Sequence, residues 1–203
     1  MPAAPLPRFV VFGEALTDLI RQDDGERWLA RPGGSPWNLA RVVARLGVGT
    51  GFAGAVSRDV FGEEIRERSR EGGLDLRFLQ QAERSPLLAF VSSTAPPRYF
   101  FVGDDSADLY LDPERLPSGW LGAAQVVHFG SISLAREPLA ARLVALAERC
   151  RAAGVRITFD PNHRAAMGGS YRTTFSIVSA IVLSWLAEPW IGTKNAVPRQ
   201  TYE

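Results

Sequence analysis

At 203 residues and 46% hydrophobic content, the chain can bury one substantial core, so a single domain is the default expectation. A formal net charge of +1 gives no electrostatic reason to expect nucleic acid or an anionic membrane as partner. The single cysteine, Cys150, excludes an internal disulfide framework and suits a reducing cytoplasm.

In chain order, residues 1–7 read as a disordered Pro/Ala leader, with no basic stretch and apolar run of a secretory signal. Residues 8–13 form a short apolar run ending in Gly13, the pattern of a buried central strand. Residues 14–21 and 27–31 read as partly exposed strands around the turn Asp23-Asp24-Gly25. Next comes Arg31-Pro32-Gly33-Gly34-Ser35-Pro36-Trp37-Asn38-Leu39-Ala40, a Gly-rich turn feeding a helix over 36–46. Leu39, Val42, Val43 and Leu46 fall at helical spacing, and Gly47 suits the stop. Such a turn offers unpaired N–H groups, and Asn38 can both donate and accept. It suits a polyhydroxylated or anionic small molecule; an ordinary loop and helix cap is the other reading.

A second buried strand is expected over 51–56, then a charged amphipathic helix over 60–71, closed by Gly72-Gly73. Glu63 and Glu64 belong to the solvated face of that helix. Residues 87–93 and 98–102 form a strand pair around Thr94-Ala95-Pro96-Pro97. Residues 125–129 make another buried strand, with His128 read as structural for want of a second metal-ligating partner. The helix over 137–153 carries Leu139, Leu143, Leu146 and Ala147 on one face, and Cys150 reads as a packing thiol. A strand over 155–159 runs into Asp160-Pro161-Asn162-His163-Arg164, which is turn chemistry in its own right. Residues 173–187 are uncharged but shorter than the roughly 20 needed to span a bilayer, so they read as buried or misfitted and not transmembrane.

Buried strands alternating with amphipathic helices predict an α/β fold, a doubly wound parallel sheet. The two exposed strand pairs predict a small β flap or lid over the carboxyl ends of its strands, where ligands bind in open α/β sheets. No G-x-G-x-x-G follows the first strand, which disfavours a dinucleotide fold.

Five stretches carry a resemblance in a consistent order. They are Phe12-Gly13-Glu14-Ala15-Leu16-Thr17-Asp18, Gly33-Gly34-Ser35-Pro36-Trp37-Asn38-Leu39-Ala40 and Asp59-Val60-Phe61-Gly62. Ser106-Ala107-Asp108-Leu109 with His128-Phe129-Gly130-Ser131-Ile132-Ser133 follows, then Phe159-Asp160-Pro161-Asn162-His163-Arg164. Together they resemble the ribokinase/PfkB family of carbohydrate kinases, especially its fructokinase-like members. The resemblance implies a ribokinase-like part over 8–172, lid strands near 14–31 and 86–103, and a divergent tail over 173–203. It implies transfer of the ATP γ-phosphoryl group, with Mg2+, to a hydroxyl of a small-molecule sugar. Asp18, Gly33, Gly34 and Asn38 would hold the sugar, and Phe90 and Phe100 would close over its ring. For Asp18 a solvated strand position remains open, as does simple flap packing for the two phenylalanines. Asp160, Asn162 and Arg164 would lie near the phosphates and metal. Oligomeric state stays open; the exposed strands of the flap would allow a homodimer through the lid, paired across a two-fold axis.

The sequence departs from the family in one respect. Its Gly-Ala-Gly-Asp segment, which carries the catalytic base and an anion hole of backbone amides, has no counterpart here. No catalytic residue is therefore assigned. After Phe175 the composition changes: the only lysine is Lys194, and Trp185 and Trp190 are two of the five tryptophans. A kinase of impaired activity is the first expectation; a non-catalytic sugar-binding remnant or a non-functional fragment is the alternative.

Overall fold

The computed structural model of the chain describes residues 4–23, 25–94 and 97–162. Strands β1 (Phe9–Phe12), β2 (Leu16–Arg21) and β3 (Trp28–Gly33) lead into helix α1 (Ser35–Arg45). Strand β4 (Thr50–Ser57), helix α2 (Val60–Glu71) and strand β5 (Leu79–Ala82) follow. Strands β6 (Leu88–Thr94) and β7 (Pro97–Val102) precede the short α3 (Trp120–Ala123), β8 (Val126–Gly130), α4 (Leu139–Ala152) and β9 (Arg156–Asp160).

The main sheet has the order β5-β4-β1-β8-β9, and every neighbouring pair in it is parallel. Strand β1 is buried on both faces, which is why its sequence is a continuous apolar run. Period-two alternation then divides its side chains between two cores. Val10 and Phe12 pack in the core that includes Leu139, Leu143 and Leu146 of α4. Val11 packs in the other core, with Trp37 and Ala40 of α1 and Ile65 of α2. Helices thus cover both faces, as the doubly wound expectation requires. Helix α2 begins as its sequence dictates: the Asp59 carboxylate accepts from the N–H groups of Phe61 and Gly62, at 3.0 and 3.1 Å.

A second, four-stranded sheet has the order β3-β2-β6-β7, with β2 and β6 parallel and both outer pairs antiparallel. This is the lid expected near 14–31 and 86–103. Strand β5 gave no signal in the sequence, since Leu79-Gln80-Gln81-Ala82 has no β-branched residue and no apolar alternation. It is held by its side chains as well as by the ladder: the buried Gln80 amide exchanges hydrogen bonds with the Asp112 backbone at 2.8 and 2.9 Å.

The chain starts at β1 in the middle of the main sheet, steps outward through β4 to β5, and returns to the other side of β1 as β8. The order therefore reverses between β1 and β8. In such sheets that reversal opens a crevice beyond the carboxyl ends of the strands. Residues 1–3 of the expected leader, Arg164 and the tail over 173–203 lie outside the described residues; within the leader, Leu6 packs against the core and Pro7 is buried.

Candidate functional site

At the β1/β8 reversal lies a cavity of about 400 Å3. Glu14, just beyond β1, and Ser131 and Ile132, just beyond β8, form its floor. Gly34, Ser35 and Asn38 at the start of α1 form one wall. The lid supplies the roof through Leu16 and Asp18 of β2, Ala89 and Val91 of β6, and Tyr99 and Phe101 of β7. Asp18, Gly34, Asn38 and Asn162, residues far apart in sequence, thus share one hollow.

The two glycines have separate local reasons. Gly34 has φ +108°, and a Cβ there would lie 2.7 Å from the Glu14 carbonyl oxygen. Gly33 pairs with Leu16 across the β2–β3 ladder, and a Cβ on it would run into the Asp18 carboxylate. Gly33 does not line the cavity itself; it leaves the room that the Asp18 carboxylate occupies. Pro36 then opens α1, and the Asn38 N–H donates to the Gly34 carbonyl at 2.9 Å, closing the first turn.

Phe90 and Phe100 do not close over this cavity. Opposed residues in a ladder point to one face, and Phe90 pairs with Phe100 while Ala89 pairs with Phe101 and Val91 with Tyr99. The inward residues are therefore the odd-numbered set, and the two phenylalanines stack on the outer face with centroids 4.9 Å apart. Trp28 meets Phe90 edge-on at 5.6 Å on that same outer face. The resemblance put Phe90 and Phe100 over the ring, whereas pleat parity decides which rings face the cavity.

Asp160 ends β9, where its carboxylate accepts from the Asn162 N–H at 2.9 Å, making an Asx turn. Asp160 is not a lining residue, while Asn162 is, and its side-chain amide donates to the Ser131 hydroxyl at 3.4 Å. Ser131 (φ 64°) and Asn162 (φ 41°) both hold left-handed backbone that is rare for residues with a side chain. Such conformations persist where surrounding structure enforces them, and both stand at this cavity.

Glu14 is the group that sequence reasoning passed over. It is 1% exposed, and its carboxylate accepts from the Ser133 backbone N–H at 3.3 Å and from the Ser133 hydroxyl. Burial pushes its pKa up to about 7, against the hydrogen bonds from Ser133 and Ser131 and with a small push from the charge of Asp108. Burial likewise raises the pKa of the half-buried Asp18. A Gly-Glu pair directly after a buried strand was the available signal, because that junction lies at the mouth of the sheet.

Beside the cavity, the Asp108 carboxylate is nearly fully buried and accepts from Arg136 Nε at 3.0 Å. Arg136 also donates to the Ser106 hydroxyl at 2.8 Å and to the Gly103 carbonyl. This cluster ties the segment after β7 to the loop after β8 that floors the cavity. His128 and Cys150 take no part. Burial pushes the His128 pKa down to about 4, and its Nδ1 lies 3.0 Å from the Thr158 hydroxyl. Cys150 is fully buried, and its thiol is pushed up to about 12. Among the described residues, no three His, Cys, Asp or Glu side chains converge as a metal site would need.

Residues 7–187 match the profile of the pfkB family of carbohydrate kinases, which runs past the boundary expected at residue 172. The chain belongs to this family. It is 38% identical over 157 residues to a fructokinase of Salmonella typhimurium, covering 76% of this chain and 50% of that protein. The pfkB chain therefore spans about half the length of the curated relatives it matches. Its fold is similar to that of Xylella fastidiosa fructokinase with bound ATP, at a TM-score of 0.80 and 26% identity, over 90% of this chain and 62% of that one. It is also similar to the aminoimidazole riboside kinase of Salmonella enterica, complexed with aminoimidazole riboside and an ATP analogue (TM-score 0.71, 27% identity, 85% and 57% of the two chains). The pfkB likeness accounts for the parallel sheet and its four-stranded lid.

Proposed function

We propose that this chain forms the sugar-recognising part of an ATP-dependent, fructokinase-like carbohydrate kinase. The single observation that carries the reading is the convergence of Asp18, Gly34 and Asn38 in one hollow beneath a lid. The Asp18 carboxylate accepts hydrogen bonds from sugar hydroxyls, and the Asn38 amide both donates and accepts. Tyr99 and Phe101 cover the ring and keep water from the hydroxyl that reacts. In the reaction, that hydroxyl oxygen bonds to the γ-phosphorus of ATP, the bond to ADP breaks, and the hydroxyl proton passes to a base.

The base and the phosphate-cradling amides of the family's Gly-Ala-Gly-Asp segment have no counterpart in this sequence. Positioning and charge stabilisation supply nearly all catalysis of phosphoryl transfer. The described residues hold the sugar-recognising side of such a site. Asn162, at the floor of the cavity beside Ser131, faces the side on which the phosphates would lie. Magnesium would arrive with the nucleotide, held mainly by phosphate oxygens and water. Among the described residues no helix is long and apolar enough to cross a membrane.

Fructose is expected to raise the melting temperature of the purified protein, by an amount that grows with the logarithm of its concentration once the site is filled. Asn38→Ala should abolish that rise. A chain that shows the rise without phosphorylating fructose is a sugar-binding remnant, and one with neither is a non-functional fragment. If Asn38→Ala keeps the full rise, the sugar lies elsewhere. Aminoimidazole riboside is the comparison ligand, since a likeness to its kinase was found; a larger rise with it would assign a riboside instead.

The outer face of the lid supports a dimer of two copies. Trp28 is 42% exposed, Phe100 54% and Val102 48%, an apolar strip that no described element covers. Phe100→Asp is expected to convert a dimer to a monomer in sedimentation velocity. A species of the same size in both proteins would place the contact elsewhere.

A further inference from the structure

A second concave site lies under the other edge of the lid. It is a cleft of about 460 Å3 between β3, α1 and α2. Leu29 and Arg31 belong to the inward-facing set of β3, because Arg31 stands directly opposite Asp18 in the ladder and Leu29 opposite Ile20. Trp37 and Arg41 come from α1, one helical turn apart, and Glu64 and Arg68 come from α2 at the same spacing. Three arginines thus line the cleft against one glutamate.

Their existing partners do not balance them. Arg68 is paired with Glu71 at 3.2 Å and loosely with Glu64 at 3.8 Å. Arg31 has no ion pair among the described residues. Arg41 lies over the Trp37 ring, its guanidinium carbon 4.3 Å from the centroid, and its Nε is buried with no hydrogen-bond partner. A buried donor left unpaired costs free energy that a ligand acceptor would recover. Burial, and then the neighbouring Arg45 and Arg68, lower the Arg41 pKa, while Glu71 opposes them.

We infer that this cleft is a binding site for the phosphate group of a small phosphate monoester, held by Arg41, Arg31 and Arg68. Guanidinium groups present planar donor pairs that match phosphate oxygens. The cleft also has an apolar wall, in Leu29 and Pro32, for the organic part of the ligand. It shares no lining residue with the sugar cavity. The inference does not depend on which sugar, if any, the neighbouring cavity takes.

The test is calorimetric titration of the whole chain with glycerol 3-phosphate and with inorganic phosphate, at constant ionic strength set with sodium chloride. Both anions should bind saturably with one site per chain, the monoester more tightly. Arg41→Gln should weaken binding at least about tenfold, as expected for loss of a charge-assisted hydrogen bond. Arg31→Gln, on an exposed strand position that folding does not need, should weaken it severalfold and covers the case in which Arg41→Gln misfolds. Arg149→Gln, on α4 across the sheet, should leave it within twofold. Absence of saturable binding, binding unchanged in Arg31→Gln, or an equal loss in Arg149→Gln would each overturn the assignment.

Discussion

Replacing Asp108 with alanine is expected to lower the stability of the protein by about 3–5 kcal/mol, because it leaves a largely buried guanidinium without its counter-charge. The Arg136 side chain is 19% exposed, and the Asp108 side chain 1%. With the carboxylate gone, Arg136 keeps, among the described residues, the Ser106 hydroxyl and the Gly103 carbonyl as partners. For a chain of this size the loss corresponds to a fall of about 10 °C in melting temperature. The double substitution Asp108→Leu with Arg136→Met should recover most of it, since an apolar pair of similar volume needs no desolvated charge. Thermal unfolding followed by circular dichroism checks both. A single variant within about 1 kcal/mol of the parent would mean that Arg136 finds solvent or another acceptor and that the cluster does not hold the lid to the β8 loop.

The second large effect is a pH dependence carried by Glu14. Its pKa rises from 4.5 in the unfolded chain to about 7 in the fold, chiefly by burial. A carboxyl whose folded pKa is raised contributes its full stability below pH 4.5, where both states hold the proton. That contribution is lost as pH rises to 7, because the unfolded chain ionises first. The whole change is about 3 kcal/mol. Glu14→Gln removes the titration and keeps an oxygen to accept from the Ser133 N–H. Urea unfolding at pH 4.5, 6 and 7.5 should show the variant gaining about 3 kcal/mol on the parent across that range. Stabilities that run parallel for the two proteins would mean that Glu14 is ionised in the fold throughout.

Much of the architecture was legible in the order of residues. Phe9–Phe12, buried on both faces, and the helix of α2, with Asp59 before it and Gly72-Gly73 after it, declare themselves by periodicity and capping. Strand β5 does not, because its place in the sheet depends on Gln80 finding the Asp112 backbone, a tertiary contact with no local pattern. The cavity shows the same division. Asn38 was readable as hydroxyl-binding chemistry at a Gly-rich turn and Asp18 only through the family resemblance, and they share the hollow. Phe90 and Phe100 fall outside the hollow because the face of a strand follows from its register, which pairs them with each other on the outer face. Glu14 and the Asp108–Arg136 pair escaped notice because their importance comes from burial, which only the assembled fold reveals.

The central claim is that a polyol sits between Asp18 and Asn38 beneath the lid. A crystal structure of the protein grown with fructose addresses it most directly. The account predicts one fructose in the β1/β8 hollow, with hydroxyls within hydrogen-bond distance of both the Asp18 carboxylate and the Asn38 amide, and with Tyr99 and Phe101 against the ring. Fructose bound elsewhere on the molecule, with this hollow filled only by water, would contradict it.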